Sequence, residues 1–327
     1  MKQNKKEMDR FFISNKKAIG MEFNWIFAII AGVFILFIAI YATSKLIGGS
    51  ENKIYTETAS KIETLLSPMG TGLASGKSAQ INFKKDTQTY YTCSYLGQFG
   101  KQTIAFSEKT FGTYGEAGGQ INTQKYIFAK NIEEGRTLYL FSKPFEMPFK
   151  IDDVIIISSE NFCFYSAPNE IKEEIQGLNI KNIQFTDDLK NCTYTSVCFG
   201  ISGCDVNVFG LCEGYNCESI YDYGKVIREG KSFYYDGALM YGAIMSSPEI
   251  YECNVKRLMK KLIELSNVYN DKAVVIKSRG CDSNAGTDLS SMISLARDTN
   301  STDQLFSISQ KADAAQLKNN GATCKLW

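Results

Sequence analysis

Histidine is missing from all 327 residues of the chain. Its absence excludes Ser-His-Asp and Cys-His nucleophile arrangements, histidine-containing zinc sites and histidine pH switches. Carboxylate pairs, lysine chemistry and oxygen-ligand cation sites are what is left. No two cysteines are spaced C-x-x-C, which argues against a zinc ribbon and a thioredoxin-like redox site. An excess of charge of either sign is lacking too, with 36 basic against 35 acidic residues. Six of the basic and three of the acidic residues fall within residues 1–22, so the remainder is about two charges negative. Such a balance leaves no electrostatic footprint for nucleic acid. No internal repeat is present. These absences lead us to expect a non-enzymatic protein with no catalytic residue, no metal and no cofactor.

What is present begins with an uncharged apolar run over residues 23–44, FNWIFAIIAGVFILFIAIYATS. As a helix it would extend about 33 Å, enough to cross the hydrocarbon core of a bilayer. Lys2, Lys5, Lys6, Arg10, Lys16 and Lys17 precede it, whereas only Lys45 follows it directly. Positive residues resist translocation, so the tail is expected to be cytoplasmic and the bulk of the chain extracellular. Trp25 and Tyr41 stand near the two ends of the run, where amphipathic rings favour the membrane interface. A cleaved signal would have a shorter apolar core of about 7–15 residues. The run is therefore read as a retained signal anchor in the cell membrane.

All ten cysteines lie beyond this run: Cys93, Cys163, Cys192, Cys198, Cys204, Cys212, Cys217, Cys253, Cys281 and Cys324. An even set confined to the outward segment predicts disulfides in an oxidising compartment. Five crowd between positions 192 and 217, so at least one must pair outside that cluster. We expect Cys93–Cys163 and Cys281–Cys324. Two N-x-[ST] sequons make Asn191 and Asn300 candidate glycosylation sites.

The expected fold is α+β: an N-terminal transmembrane helix, then a disulfide-rich ectodomain with antiparallel β-sheet and C-terminal helices. Residues 1–22 form the cytoplasmic tail, 23–44 the span, and 45–78 a stalk helix and linker. Residues 79–189 read as a β-rich region of short alternating runs at 80–83, 89–95, 103–106, 125–129, 137–141 and 154–158. A short helix is expected over 168–178. A cysteine-rich module at 190–220, glycine-rich and without long apolar periodicity, is expected to rely on disulfides for a core and to carry the interaction surface. Residues 221–327 form an α+β C-terminal region. It opens with a strand pair over 226–245 that turns at Glu229-Gly230 or Asp236-Gly237. In the helix that follows, Ser247 is the cap, Pro248 suits the first turn, and Val255, Leu258, Met259, Leu262, Leu265 and Tyr269 form one apolar face. A strand at 273–276 and helices near 287–297 and 302–319 complete the chain.

Several motifs carry a chemical reading beside a plainer one. Gly76-Lys77-Ser78 ends a glycine-rich stretch, but Thr71 stands where a phosphate-binding loop needs glycine, and a polar linker is the better reading. Asp282, Asn284, Gly286 and Asp288 space oxygen ligands as calcium loops do, without the closing glutamate, so they are read as a helix-capping loop. Lys256-Arg257 and Lys260-Lys261 are read as a solvated helix face. Tyr90-Tyr91 and Phe233-Tyr234-Tyr235 are either sugar-stacking platforms or core. Asp152-Asp153 and Asp187-Asp188 are weak candidates for paired carboxylate catalysis.

The stretch Lys16-Lys17-Ala18-Ile19-Gly20-Met21-Glu22-Phe23-Asn24-Trp25 resembles the start of archaeal-type N-terminally anchored surface proteins, including type IV pilin-like ones. The resemblance is confined mainly to the first fifty residues. It implies a candidate processing site between Gly20 and Met21, with the apolar helix as a filament core and Glu22 at the second mature position. Residues 224–245 and Cys253-Asn254-Val255-Lys256-Arg257 also resemble anchored proteins of archaeal type, with no activity implied. The function expected from all this is a single-pass cell-surface protein for structural or adhesive interaction. Its expected partners are the bilayer, a cell-surface protein or glycan, and further copies through the membrane helix, with no nucleic acid. The alternatives are a pilin-like filament subunit and an exported carboxylate-based hydrolase.

Overall fold

A computed structural model describes residues 25–43, 62–64, 66, 78–213, 217–281, 283–299 and 301–327. The chain divides into two compact units, Met1–Thr56 and Glu57–Trp327. The described part of the first is one helix, α1 (Trp25–Thr43), with a mean hydropathy of 2.7 and no buried residue. Its length and composition are those of a membrane span. Gly20, Met21 and Asn300 lie outside the described residues, as do most of the expected stalk and the glycine-rich stretch before Ser78.

The second unit is α+β and holds two mixed sheets. The first is built from β1 (Ser78–Ser94), β2 (Lys101–Thr110), β3 (Thr113–Tyr114), β4 (Gly118–Thr123), β5 (Tyr126–Phe128), β6 (Ile132–Glu146) and β7 (Lys150–Ser158). Its order is β3-β2-β1-β6-β7-β5, with β4 also on β2, and every pair is antiparallel except β5 with β7. The two runs expected at 80–83 and 89–95 are one strand, β1, whose register with β6 shifts between Asn82 and Thr87. The extra residues bulge out, which lets one long strand look like two in sequence.

The second sheet contains β8 (Phe162–Tyr165), β9 (Ile183–Thr186), β10 (Thr195–Phe199), β11 (Val206–Gly210), β12 (Tyr223–Arg228) and β13 (Lys231–Asp236), in the order β13-β12-β11-β10-β8-β9. Strands β9, β8, β10 and β11 run parallel, so the expectation of antiparallel sheet is corrected to mixed. Helix α2 (Asn169–Gly177) supplies the crossover from β8 to β9 that a parallel pair requires. Hairpin β12–β13 turns at Glu229 and Gly230, both at positive φ. That is the primed-turn geometry whose twist suits paired strands. The last third of the expected 226–245 strand pair is instead helix α3 (Leu239–Met245), all seven residues of which are buried.

Helix α4 (Pro248–Ser278) is the longest element, with Pro248 in its first turn. Ser247 occupies the N-cap, but its hydroxyl bonds Asn131 rather than a helix amide. Val255, Leu258, Met259 and Leu262 are buried and Leu265 and Tyr269 half-buried, as the periodicity predicts. Residues 273–276 are not a strand. The helix propagates through them, each residue adding one hydrogen bond, until Gly280 at φ +87° ends it; the Gly280 amide donates to the Lys277 carbonyl, and the Arg279 and Cys281 amides donate to that of Ile276. Helices α5 (Gly286–Arg297) and α6 (Leu305–Gly321) follow. One hydrophobic core joins both sheets and the helices, running from Phe128, Phe141 and Ile156 through Phe164 and Val226 to Tyr241, Leu258, Leu289 and Ile308.

Four disulfides lock this unit: Cys93–Cys253, Cys198–Cys204, Cys212–Cys217 and Cys281–Cys324. The expected C-terminal pair is present. Cys93 bonds Cys253 on α4 instead of Cys163, because β1 delivers it under that helix and not beside β8. Cys163 and Cys192 carry free thiols.

Candidate binding groove

Helix α6 has two faces. Leu305, Ile308, Ala312, Ala315 and Asn319 are buried. Phe306, Ser309, Gln310, Asp313, Ala314 and Leu317, at three- and four-residue spacing, line an open groove of about 590 Å³. The opposite wall comes from Leu211, Glu213 and Tyr223, and from the Cys212–Cys217 bond that closes the loop after β11. Leu211, Phe306 and Leu317 remain 39%, 43% and 59% exposed. Three large apolar side chains around one groove form a surface that gains from being covered. The buried Tyr223 ring packs 5.0 Å from that of Phe306 and fixes the groove's base.

Asp236, at the end of β13, is the electrostatic centre of this region. Burial pushes its carboxyl up to about 7; a hydrogen bond with Ser309 opposes the rise, and the carboxylates of Asp313 and Asp222 add to it. Burial likewise raises Tyr223 and Tyr235, with Asp236 and Asp222 respectively among the further causes. The Tyr235 hydroxyl is buried with no hydrogen-bond partner among the described residues. It presses on Gly224, where a Cβ would stand 2.5 Å from the Tyr235 oxygen, so only glycine fits.

The proton on Asp236 ties stability to pH. The folded carboxyl holds it up to about pH 7, whereas an unfolded one releases it near 3.8. Its contribution is therefore fully present below about pH 4 and is lost as pH rises through about 7. The denaturation midpoint of Asp236→Asn should show a flatter fall between pH 5 and 8 than that of the wild type. Parallel curves for the two proteins would contradict the assignment.

The other sequence candidates have structural roles. Asp153 is buried and paired with Lys150, while Asp152 pairs with Lys261 and accepts from the Asp153 amide. Asp188 caps a short 3-10 turn at Lys190. Neither acidic pair brings two carboxylates together in a cleft. Tyr91, Phe233 and Tyr235 are core residues. Asp288 is engaged by Lys318 at 2.5 Å, and Asp282 lies outside the described residues. Asn191 is exposed at the end of its 3-10 turn.

The basic helix face is corrected most. Lys256 and Lys260 stand over the Tyr95 ring at 5.2 and 5.9 Å. Arg257 is fully buried. Its guanidinium donates to Gln102, Asn254 and the carbonyls of Phe99, Gln124 and Lys125, and stacks on Tyr126. The groove itself escaped the sequence reading, which expected an interaction surface in the cysteine-rich module. The signal for it was the second apolar stripe on α6, Phe306 to Leu317, opposite its buried one. No protein-family model, curated protein or solved structure matches the chain.

Proposed function

We propose that this is a single-pass membrane-anchored cell-surface protein of archaeal type, not an enzyme, whose extracellular domain makes structural or adhesive contacts through the α6 groove. The observation that carries the reading is the presence, in one chain, of a 19-residue apolar helix with no buried residue and a domain closed by four disulfides. Helix α1 has no polar face to present to water, and a bilayer is the medium that accepts it on all sides. Disulfides persist outside the reducing cytosol. In this reading the basic tail is cytoplasmic, and α1 is also available for self-association. The groove's partner is a cell-surface protein or glycan with an apolar face and hydrogen-bonding groups, to match the Phe306 and Leu317 rim beside Ser309, Gln310 and Asp313.

Cells displaying the full chain are to be compared with cells displaying the doubly substituted Phe306→Ser, Leu317→Ser protein. Burying either apolar side chain against a partner is worth about 1.4 kcal/mol, or tenfold, so adhesion should fall at least tenfold at equal display. Undiminished adhesion would remove the groove from the account. A second reading, an exported hydrolase of glycans or peptides, draws on the raised Asp236 carboxyl beside Asp313, a proton donor near neutral pH. It requires turnover of a chromogenic glycoside or peptide that disappears in Asp313→Asn.

A further inference from the structure

Two thiols stand outside the four disulfides, and they are neighbours. Cys163 is buried in β8. Cys192 is half-buried and directly follows the 3-10 turn Leu189–Asn191. Strands β8 and β10 run parallel with Cys163 opposite Ser196, so the connector entering β10 passes alongside the β8 cysteine. There the Cys192 side chain and the amides of Thr193 and Tyr194 lie close enough to the Cys163 sulfur to act on its thiol. The Cys192 thiol also donates to the Tyr194 carbonyl at 3.4 Å. Neighbouring thiols reach the disulfide separation of about 2 Å by side-chain rotation.

We propose that Cys163 and Cys192 are a fifth disulfide site, closed by thiol–disulfide exchange with Cys192 as the attacking thiol. The oxidant is a protein or small-molecule disulfide, the class of reagent able to close the other four bonds. The Cys192 thiolate attacks one sulfur of the oxidant, forming a mixed disulfide and releasing the oxidant's other sulfur as a thiolate. The Cys163 sulfur then attacks Cys192, the mixed disulfide breaks, and the second oxidant sulfur leaves. Two protein thiols are oxidised to one S–S bond, and the oxidant is reduced to two thiols that take up both protons. Burial first, then the Cys192 thiol, pushes Cys163 up to about 11, while the neighbouring amides pull it back. It is thus almost wholly protonated at neutral pH, so the less buried Cys192 makes the first attack, and Cys163 follows through its small thiolate fraction, held beside the mixed disulfide. The bond would pin the connector that carries the Asn191 sequon to β8, and would close a loop around α2 and β9.

The test is iodoacetamide labelling of full-length protein denatured in guanidinium chloride without reductant, followed by peptide mapping. The expected result is no labelled cysteine and a cross-linked peptide pair containing Cys163 and Cys192. If the isolated protein still carries the thiols, closure of that same pair by oxidised glutathione is the expected result. In Cys163→Ser, Cys192 should be labelled or held as a mixed disulfide with the oxidant, while the four other bonds stay intact. Two labels, on Cys163 and Cys192, that persist after oxidised glutathione would overturn the proposal. So would pairing of either residue with any other cysteine.

Discussion

Replacement of Arg257 by alanine is expected to destabilise the disulfide-bonded domain by about 4 kcal/mol or more. The side chain is fully buried, and its five hydrogen bonds run at 2.8–3.1 Å, four of them to acceptors outside its own helix. Phe99 lies between β1 and β2, Gln102 is in β2, and Gln124 and Lys125 join β4 to β5. Asn254, a further acceptor, donates in turn to the Ile127 carbonyl, as does Gln102. One guanidinium therefore fastens α4 to the first sheet. Alanine would leave buried acceptors without a donor and open a cavity on the Tyr126 ring, and each of these costs on the order of 1–3 kcal/mol. Lysine should not rescue, because its three donors on a single nitrogen cannot reach acceptors spread around a planar fork. Lys256→Ala, one position away and half-buried against Tyr95, should cost under about 1 kcal/mol. Denaturant titration of the full-length proteins gives both values. An Arg257→Ala loss as small as that of Lys256→Ala would contradict this account of the helix–sheet junction.

The second large effect is expected at Cys93–Cys253. This bond joins residues 160 apart, whereas Cys198–Cys204 spans six. Loop-closure entropy assigns about 5 kcal/mol to the first and about 2 kcal/mol to the second. The paired alanine variant at 93 and 253 should therefore lose the most denaturant stability of the four disulfide deletions. Combined with Arg257→Ala its effect should not add, because both changes release the same helix from the same sheet. Equal losses for the 93/253 and 198/204 pairs would mean that the long bond does not constrain the unfolded chain.

The sequence was most legible where one segment alone decides its structure. The apolar run of α1, the buried face of α4 from Val255 to Leu262 and the hairpin turn at Glu229-Gly230 follow from local periodicity and turn chemistry. What depends on distant partners could not be read in the same way. Parallel pairing of β8 with β10 arises from a crossover through α2 and β9, and short apolar runs look alike in either direction. Residues 273–276 carry a strand-like composition that the length of α4 overrides. Arg257 sits in a basic stretch whose other members do reach the surface, and only the carbonyls of the β1–β2 and β4–β5 connections reveal why it does not. The groove joins the Cys212–Cys217 loop to side chains on α6 about a hundred residues later, and Asp236 was legible only as a turn residue before Gly237. The Cys93–Cys253 bond is long-range in the same sense, while Cys281–Cys324 links neighbouring ends of one helical segment.

The central claim is that α1 crosses a membrane and the disulfide-locked domain lies outside the cell. The most direct test is labelling of intact cells with a membrane-impermeant amine-reactive biotin, followed by mapping of the modified lysines. The account predicts modification of Lys231 and Lys311 on the folded domain, and modification of Lys2, Lys5, Lys16 and Lys17 only after the cells are permeabilised. Labelling of the basic tail from outside, or protection of the domain until permeabilisation, would contradict it.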